Sequence, residues 1–142
     1  MRIQRLLTAG LSCSLLLSSA VIASDTISIE PGMWEMTSKM TSPMTPQPRV
    51  QTTQECMTDS TIGPQDLTPE DGGDCTITDS KVSGNSMSWS MSCNTPGGTM
   101  TGGGNFTSEG SSGHGNMKMN MNFEGQSFDM NMAWEGKRLG PC

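Results

Sequence analysis

The chain has 142 residues, room for one small domain, and carries 8 Lys plus Arg against 14 Asp plus Glu, with no Tyr. Leu, Ile, Val and Phe number only 20, of which 9 fall in the first 23 residues, whereas methionine alone contributes 14. So thin an aliphatic content argues against an ordinary core, and a net charge of −6 argues against nucleic acid and anionic membrane surfaces as partners.

Residues 1–23 read as an export signal. Arg2 and Arg5 give a short basic start, an apolar run extends from Leu6 to Ile22, and Val21-Ile22-Ala23 presents short residues where a signal peptidase reads them. Cleavage is expected after Ala23, with the position after Ala20 as second choice. The run is interrupted by Gly10 and several serines and is marginal for spanning a bilayer. No integral membrane segment is therefore expected after cleavage, and residues 24–142 are expected to form a single β-rich domain, periplasmic or secreted. Cys13, preceded by a poor lipobox, leaves with the signal. Loss of Arg2 and Arg5 moves the net charge from −6 to −8.

Beyond Ser24 the hydrophobic period is two. Trp34, Met36 and Met40 share a face within Gly32–Met40. Pro43-Met44-Thr45-Pro46-Gln47-Pro48 is a loop too rich in proline to pair. Val50, Thr52, Gln54 and Cys56 share a face of a weaker strand. The stretch from Met57 to Asp74 is the longest without strand character; Thr58 or Asp59 caps one helical turn there, which Gly63-Pro64 ends. In the next strand Ile77 and Val82 have opposite parity, so a bulge is expected near Asp79-Ser80-Lys81. Gly84-Asn85 is a hairpin signal, followed by Ser86–Cys93, in which Met87, Trp89, Met91 and Cys93 face one side and serines the other.

Met100, Gly102, Gly104 and Phe106 line a further strand, which its glycines should bend. Met117, Met119, Met121 and Phe123 form the next apolar face, and Phe128, Met130, Met132 and Trp134 the last, with turn residues at Glu109–Gly113 and Glu124–Gln126. The predicted fold is all-β: an antiparallel meander of about seven strands that buries its one apolar face by curling into a curved sheet or a small barrel.

The cysteines left after cleavage are Cys56, Cys75, Cys93 and Cys142. An even number in a small exported chain reads as two disulfides, each contributing about 3–4 kcal/mol. Three pairings are possible; Cys56–Cys75, closing the polar loop, and Cys93–Cys142, tying down the C-terminus, are favoured. With no C-x-x-C and His114 as the single histidine, zinc and thiol-exchange chemistry are poorly supported.

Pro31-Gly32-Met33-Trp34-Glu35 near the start, the spaced Gln54-Glu55-Cys56, Gly73-Asp74-Cys75 and Met91-Ser92-Cys93, and the closing Lys137-Arg138-Leu139-Gly140-Pro141-Cys142 form an ordered set. In these the chain resembles the bacterial domain-of-unknown-function 3617 family, marked by P-G-x-W-E, spaced cysteines and a terminal R-x-G-x-C. The resemblance covers nearly all of the mature chain. It implies an exported protein of proteobacterial envelopes and brings no catalytic residue, substrate or activity with it.

Methionine is the residue type able to carry function. Met117, Met119 and Met121, with Met130 and Met132, place thioethers on strand faces; thioethers are soft ligands suited to Cu(I). The competing explanation is packing, because these residues share register with Phe123, Phe128 and Trp134, and Met fills irregular cores well. His114 has the opposite parity, which weakens it as a co-ligand. A curled sheet with Gly102 and Gly104 inside also offers room for a small apolar ligand, unless Trp34, Trp89 and Trp134 close it. Oxidation should strike exposed Met44 and Met57 first.

Nothing composes a catalytic set: a nucleophile would need His114, which stands among glycines. Glu70, Asp71 and Asp74 lack calcium-loop spacing and serve solubility. Thr101-Gly102-Gly103-Gly104-Asn105 lies in a strand pattern with no lysine after it, unlike a phosphate loop. The expectation is an exported, cofactor-free, non-enzymatic binding or structural module whose partner is an envelope protein or a small apolar ligand. A periplasmic Cu(I)-binding protein and a carrier of an apolar ligand are the alternatives.

Overall fold

A computed structural model describes residues 25–68 and 74–142. The export signal and Glu70-Asp71 lie outside the described residues. Among the described residues nine strands follow in chain order: β1 (Ile27–Ser28), β2 (Gly32–Thr41), β3 (Arg49–Met57), β4 (Thr61–Ile62), β5 (Asp74–Ser83), β6 (Ser86–Thr95), β7 (Gly98–Ser108), β8 (Ser112–Phe123) and β9 (Gln126–Gly140). Seven of them form one antiparallel sheet in the order β3-β2-β9-β8-β7-β6-β5, which is open and curled rather than a closed barrel. The meander β5 to β9 is joined by short turns, and the N-terminal hairpin β2–β3 adds beside the last strand. At the β8–β9 turn Glu124 and Gly125 both have positive φ, 49° and 80°, as a tight hairpin turn requires.

The period of two survives into the fold. β6 buries Met87, Trp89, Met91 and Cys93, β7 buries Met100 and Phe106, β8 buries Met117 and Met119, and β2 buries Trp34, all on the inner face. Curling depends on what stands between them. Trp89 pairs with Gly104 and Trp134 with Gly115; the Trp89 indole lies over Gly104, and the Phe106 ring lies over Gly115. A Cβ on Gly104 would lie 2.7 Å from Trp89 Cζ2 and 2.8 Å from the Asn116 carbonyl oxygen. The two indoles fold over this strip and stack with centroids 6.5 Å apart, although β6 and β9 are three strand spacings apart, about 14 Å in a flat sheet.

A second, two-stranded sheet covers part of the inner face. β1 pairs with β4, setting Ile27 opposite Ile62, and Ile27, Ile29 and Ile62 are all buried in the core. The chain is held there by backbone bonds from Ile29 N to Ser60 O (3.0 Å) and Glu30 N to Gly110 O (3.1 Å). Trp34 Nε1 donates to Glu30 O at 2.8 Å. The scarce aliphatic residues thus serve as a cover, and the methionines form the floor.

Two local expectations are sharpened and one, the helical turn, is corrected. The bulge falls at Thr78, between the pairs Ile77–Met91 and Asp79–Ser90, slightly before the predicted place. The helical turn does not end at Gly63-Pro64 but starts there: a 3₁₀ turn spans Pro64–Leu67, with Gly63 N donating to Asp66 Oδ2 at 2.8 Å. Proline suits the first helical position because its missing N–H would be unpaired there anyway. Val50, Thr52, Gln54 and Cys56 do share a face, but it is the outer one; Val50 is 63% exposed.

The disulfide pairing is also corrected: Cys75 bonds Cys93 and Cys56 bonds Cys142. The β5–β6 hairpin sets Cys75 directly opposite Cys93 on the inner face, leaving neither free for a more distant partner. At the other side of the sheet Met33 has Cys56 on one flank and Gly140 on the other. Two further residues carry Cys142 to Cys56, with Cα atoms 5.7 Å apart. Each bond closes a different length of chain, 18 and 86 residues.

Non-reducing peptide mapping is expected to recover the Cys56–Cys142 and Cys75–Cys93 peptides; a Cys56–Cys75 peptide would refute this arrangement. Loop-closure entropy predicts that removing the Cys56–Cys142 bond costs about 4.5 kcal/mol and the hairpin bond about 3 kcal/mol, measured by denaturant unfolding. Gly104→Ala should lower stability by about 1–3 kcal/mol through overpacking against Trp89 and the Asn116 carbonyl. An unchanged melting temperature would show that the indole does not rest on that glycine.

Candidate functional site

The inner face brings the Met-x-Met clusters together. Met117 stands opposite Met132 and Met119 opposite Met130, while Met121 faces Phe128. Directly opposed residues on one face of an antiparallel pair have Cβ atoms about 4.5–5.5 Å apart, so these thioethers are neighbours. Met117 and Met119 are buried; Met121, Met130 and Met132 are half-buried against the core. His114 lies on the outer face opposite Glu135, away from the thioethers. Among the described residues no group of three or more His, Cys, Asp or Glu is arranged to hold a metal ion. Met44 is 68% exposed, as expected, but Met57 packs half-buried against the core and is not an early target of oxidation.

Beside this floor lies a groove of about 320 Å³, between the 3₁₀ turn and strands β3, β2 and β9. Met36, Met132, Trp134 and Leu67 give it an apolar base, and Glu55 and Asp66 stand at its rim. Inner and outer faces of β3 explain the mixture. Its outward residues face Glu35 and Lys39 on β2, so Gln51, Thr53 and Glu55 turn inward and give the apolar base a polar edge. Sequence patterning missed these residues, because Val50 and Cys56 lie on the outer face of β3, whereas the inward Gln51, Thr53 and Glu55 are polar. A larger hollow of about 510 Å³ crosses β7, β8 and β9 and is lined largely by polar residues, among them Lys118, Asn120 and Asp129. There Asn120 Nδ2 already donates to Asp129 Oδ1 at 2.8 Å and Ser127 Oγ at 2.7 Å.

The residues that marked the two ends of the chain form a clasp. Arg138 Nε donates to Pro31 O at 2.7 Å. Gly32, at φ 149°, has no room for a Cβ beside Arg138 and Gly140, and Trp34 is fully buried. Glu35 binds Lys137 Nζ at 3.0 Å and accepts from Gln54 Nε2 at 3.0 Å. The hydrogen bond from Gln54, then Lys137, hold the Glu35 carboxyl below its ordinary value. The Cys56–Cys142 bond closes the same corner. These residues are architectural: they join the first long strand to the last.

Trp89 Nε1 is buried without a hydrogen-bond partner among the described residues, an uncompensated desolvation of about 1–3 kcal/mol. The indole is held by packing over Gly104 rather than by polar contact.

A family model described as "Protein of unknown function (DUF3617)" matches residues 29–142, and the chain belongs to that family. Comparison with curated proteins and with solved structures returned no match. The match spans all seven strands of the large sheet, both disulfides and the terminal clasp.

Proposed function

We propose that the protein is an exported module of the bacterial envelope that works by binding, without covalent chemistry, and that it takes a small apolar ligand on the inner face of its curled sheet. The observation that carries this is the groove floored by Met36, Met132 and Trp134, which the isoleucine cover leaves open to solvent. Unbranched thioether side chains adapt to varied apolar shapes, and the groove volume falls at the lower end of ligand sites, about 300–1,000 Å³. The basic and apolar character of residues 1–23 supports export, as does a pair of disulfides, which persist in oxidising compartments. Among the described residues no helix is long and apolar enough to cross a membrane.

The test is to express the full chain in a Gram-negative host, recover it from the periplasm and titrate it with octyl glucoside below micelle formation. An intact mass beginning at Ser24 and saturable change in tryptophan fluorescence are expected. Met132→Asn should weaken binding roughly tenfold by removing about 1.5 kcal/mol of apolar contact. A cytoplasmic, uncleaved product contradicts export, and absence of saturable binding contradicts the ligand site.

A second reading is Cu(I) binding, favoured by the facing pairs Met117–Met132 and Met119–Met130. Anaerobic titration with Cu(I) against a competing chelator should then give one saturable site that is lost in Met130→Leu/Met132→Leu. Affinity no tighter than that of an unfolded Met-rich peptide rejects it.

A further inference from the structure

Resting on the apolar-ligand reading, we infer that the groove between the 3₁₀ turn and β3-β2-β9 selects amphiphiles with a cationic head. The groove has two chemically distinct parts. Its base is Met36, Met132, Trp134 and Leu67, which suits a short alkyl or aryl body; its rim carries the carboxylates of Glu55 and Asp66 and no basic residue. Glu55 is on the inner-facing side of the edge strand, opposite Trp34, and solvent reaches it. Asp66 spends one carboxylate oxygen on Gly63 N, leaving its charge at the mouth.

The nearby cations are engaged or displaced. Arg49 stands beyond Gln51 on β3, outside the lining. Arg138 is tied to Pro31, and Lys137 to Glu35. An ammonium head placed at the rim meets two carboxylates. An anionic head of the same length meets repulsion from both carboxylates and from a protein whose net charge is −8 once residues 1–23 are removed.

Three octyl probes on the whole oxidised protein decide the matter: octyltrimethylammonium, octyl glucoside and octyl sulfate, each below micelle formation. The order of affinity should be cation, then neutral, then anion. Glu55→Gln, at an exposed position that does not threaten folding, should weaken the cation about two- to fivefold, the range of an exposed ion pair. The loss should be larger for the cation than for octyl glucoside, and high salt should shrink the cation's advantage. Asp129→Asn, on the outer face, should alter neither probe. Equal binding of cation and neutral probe, or equal loss in Asp129→Asn and Glu55→Gln, overturns the charge selection while the apolar site stands. Failure of all three probes to bind overturns both.

Discussion

Everything in this sheet depends on two indoles meeting over glycine. Trp89 on β6 and Trp134 on β9 stack across two intervening strands, with Gly104 directly beneath the Trp89 ring and Gly115, the partner of Trp134, lying against Phe106. A flat antiparallel sheet of seven strands would expose its apolar face, with no second layer large enough to cover it. The curl brings the methionines of β6, β7 and β8 onto one concave floor, and it reduces what the N-terminal cover must bury to a few square rungs of the sheet. Ile27, Ile29 and Ile62 suffice for that.

Methionine is suited to this geometry in a way leucine is not. A strongly curved inner face compresses side chains unevenly, and an unbranched thioether finds a rotamer for each gap. The same freedom would specify a unique structure poorly. Two disulfides and the terminal clasp of Arg138 with Pro31 supply the missing constraint, by joining β5 to β6 and β3 to the tail beyond β9 covalently and closing the chain ends on one corner. The residues that identify the family are therefore concentrated where the fold is locked rather than where a ligand would sit.

The strands with apolar alternation were legible in the sequence: β6, β8 and β9 emerge with the predicted faces, and so does the methionine floor. What escaped was decided by partners distant in sequence. Cys56 looked like the natural mate of Cys75 along the chain, yet β3 lies at the opposite edge of the sheet from β5, which no local pattern could reveal. For the same reason the groove was invisible. Its polar edge comes from β3, whose inward residues are polar while Val50 and Cys56 face outward, and its mouth from a 3₁₀ turn that begins where Gly63-Pro64 suggested an end.

The curl itself is open to direct measurement. In the oxidised protein with selectively labelled tryptophan, nuclear Overhauser effects between the nearest Trp89 and Trp134 indole protons should be detectable, as ring centroids 6.5 Å apart allow. Strand–strand effects that confirm the β6-β7-β8-β9 order without any contact between those two rings would mean that the sheet does not close over its glycine strip, and would contradict the arrangement on which the core and the groove rest.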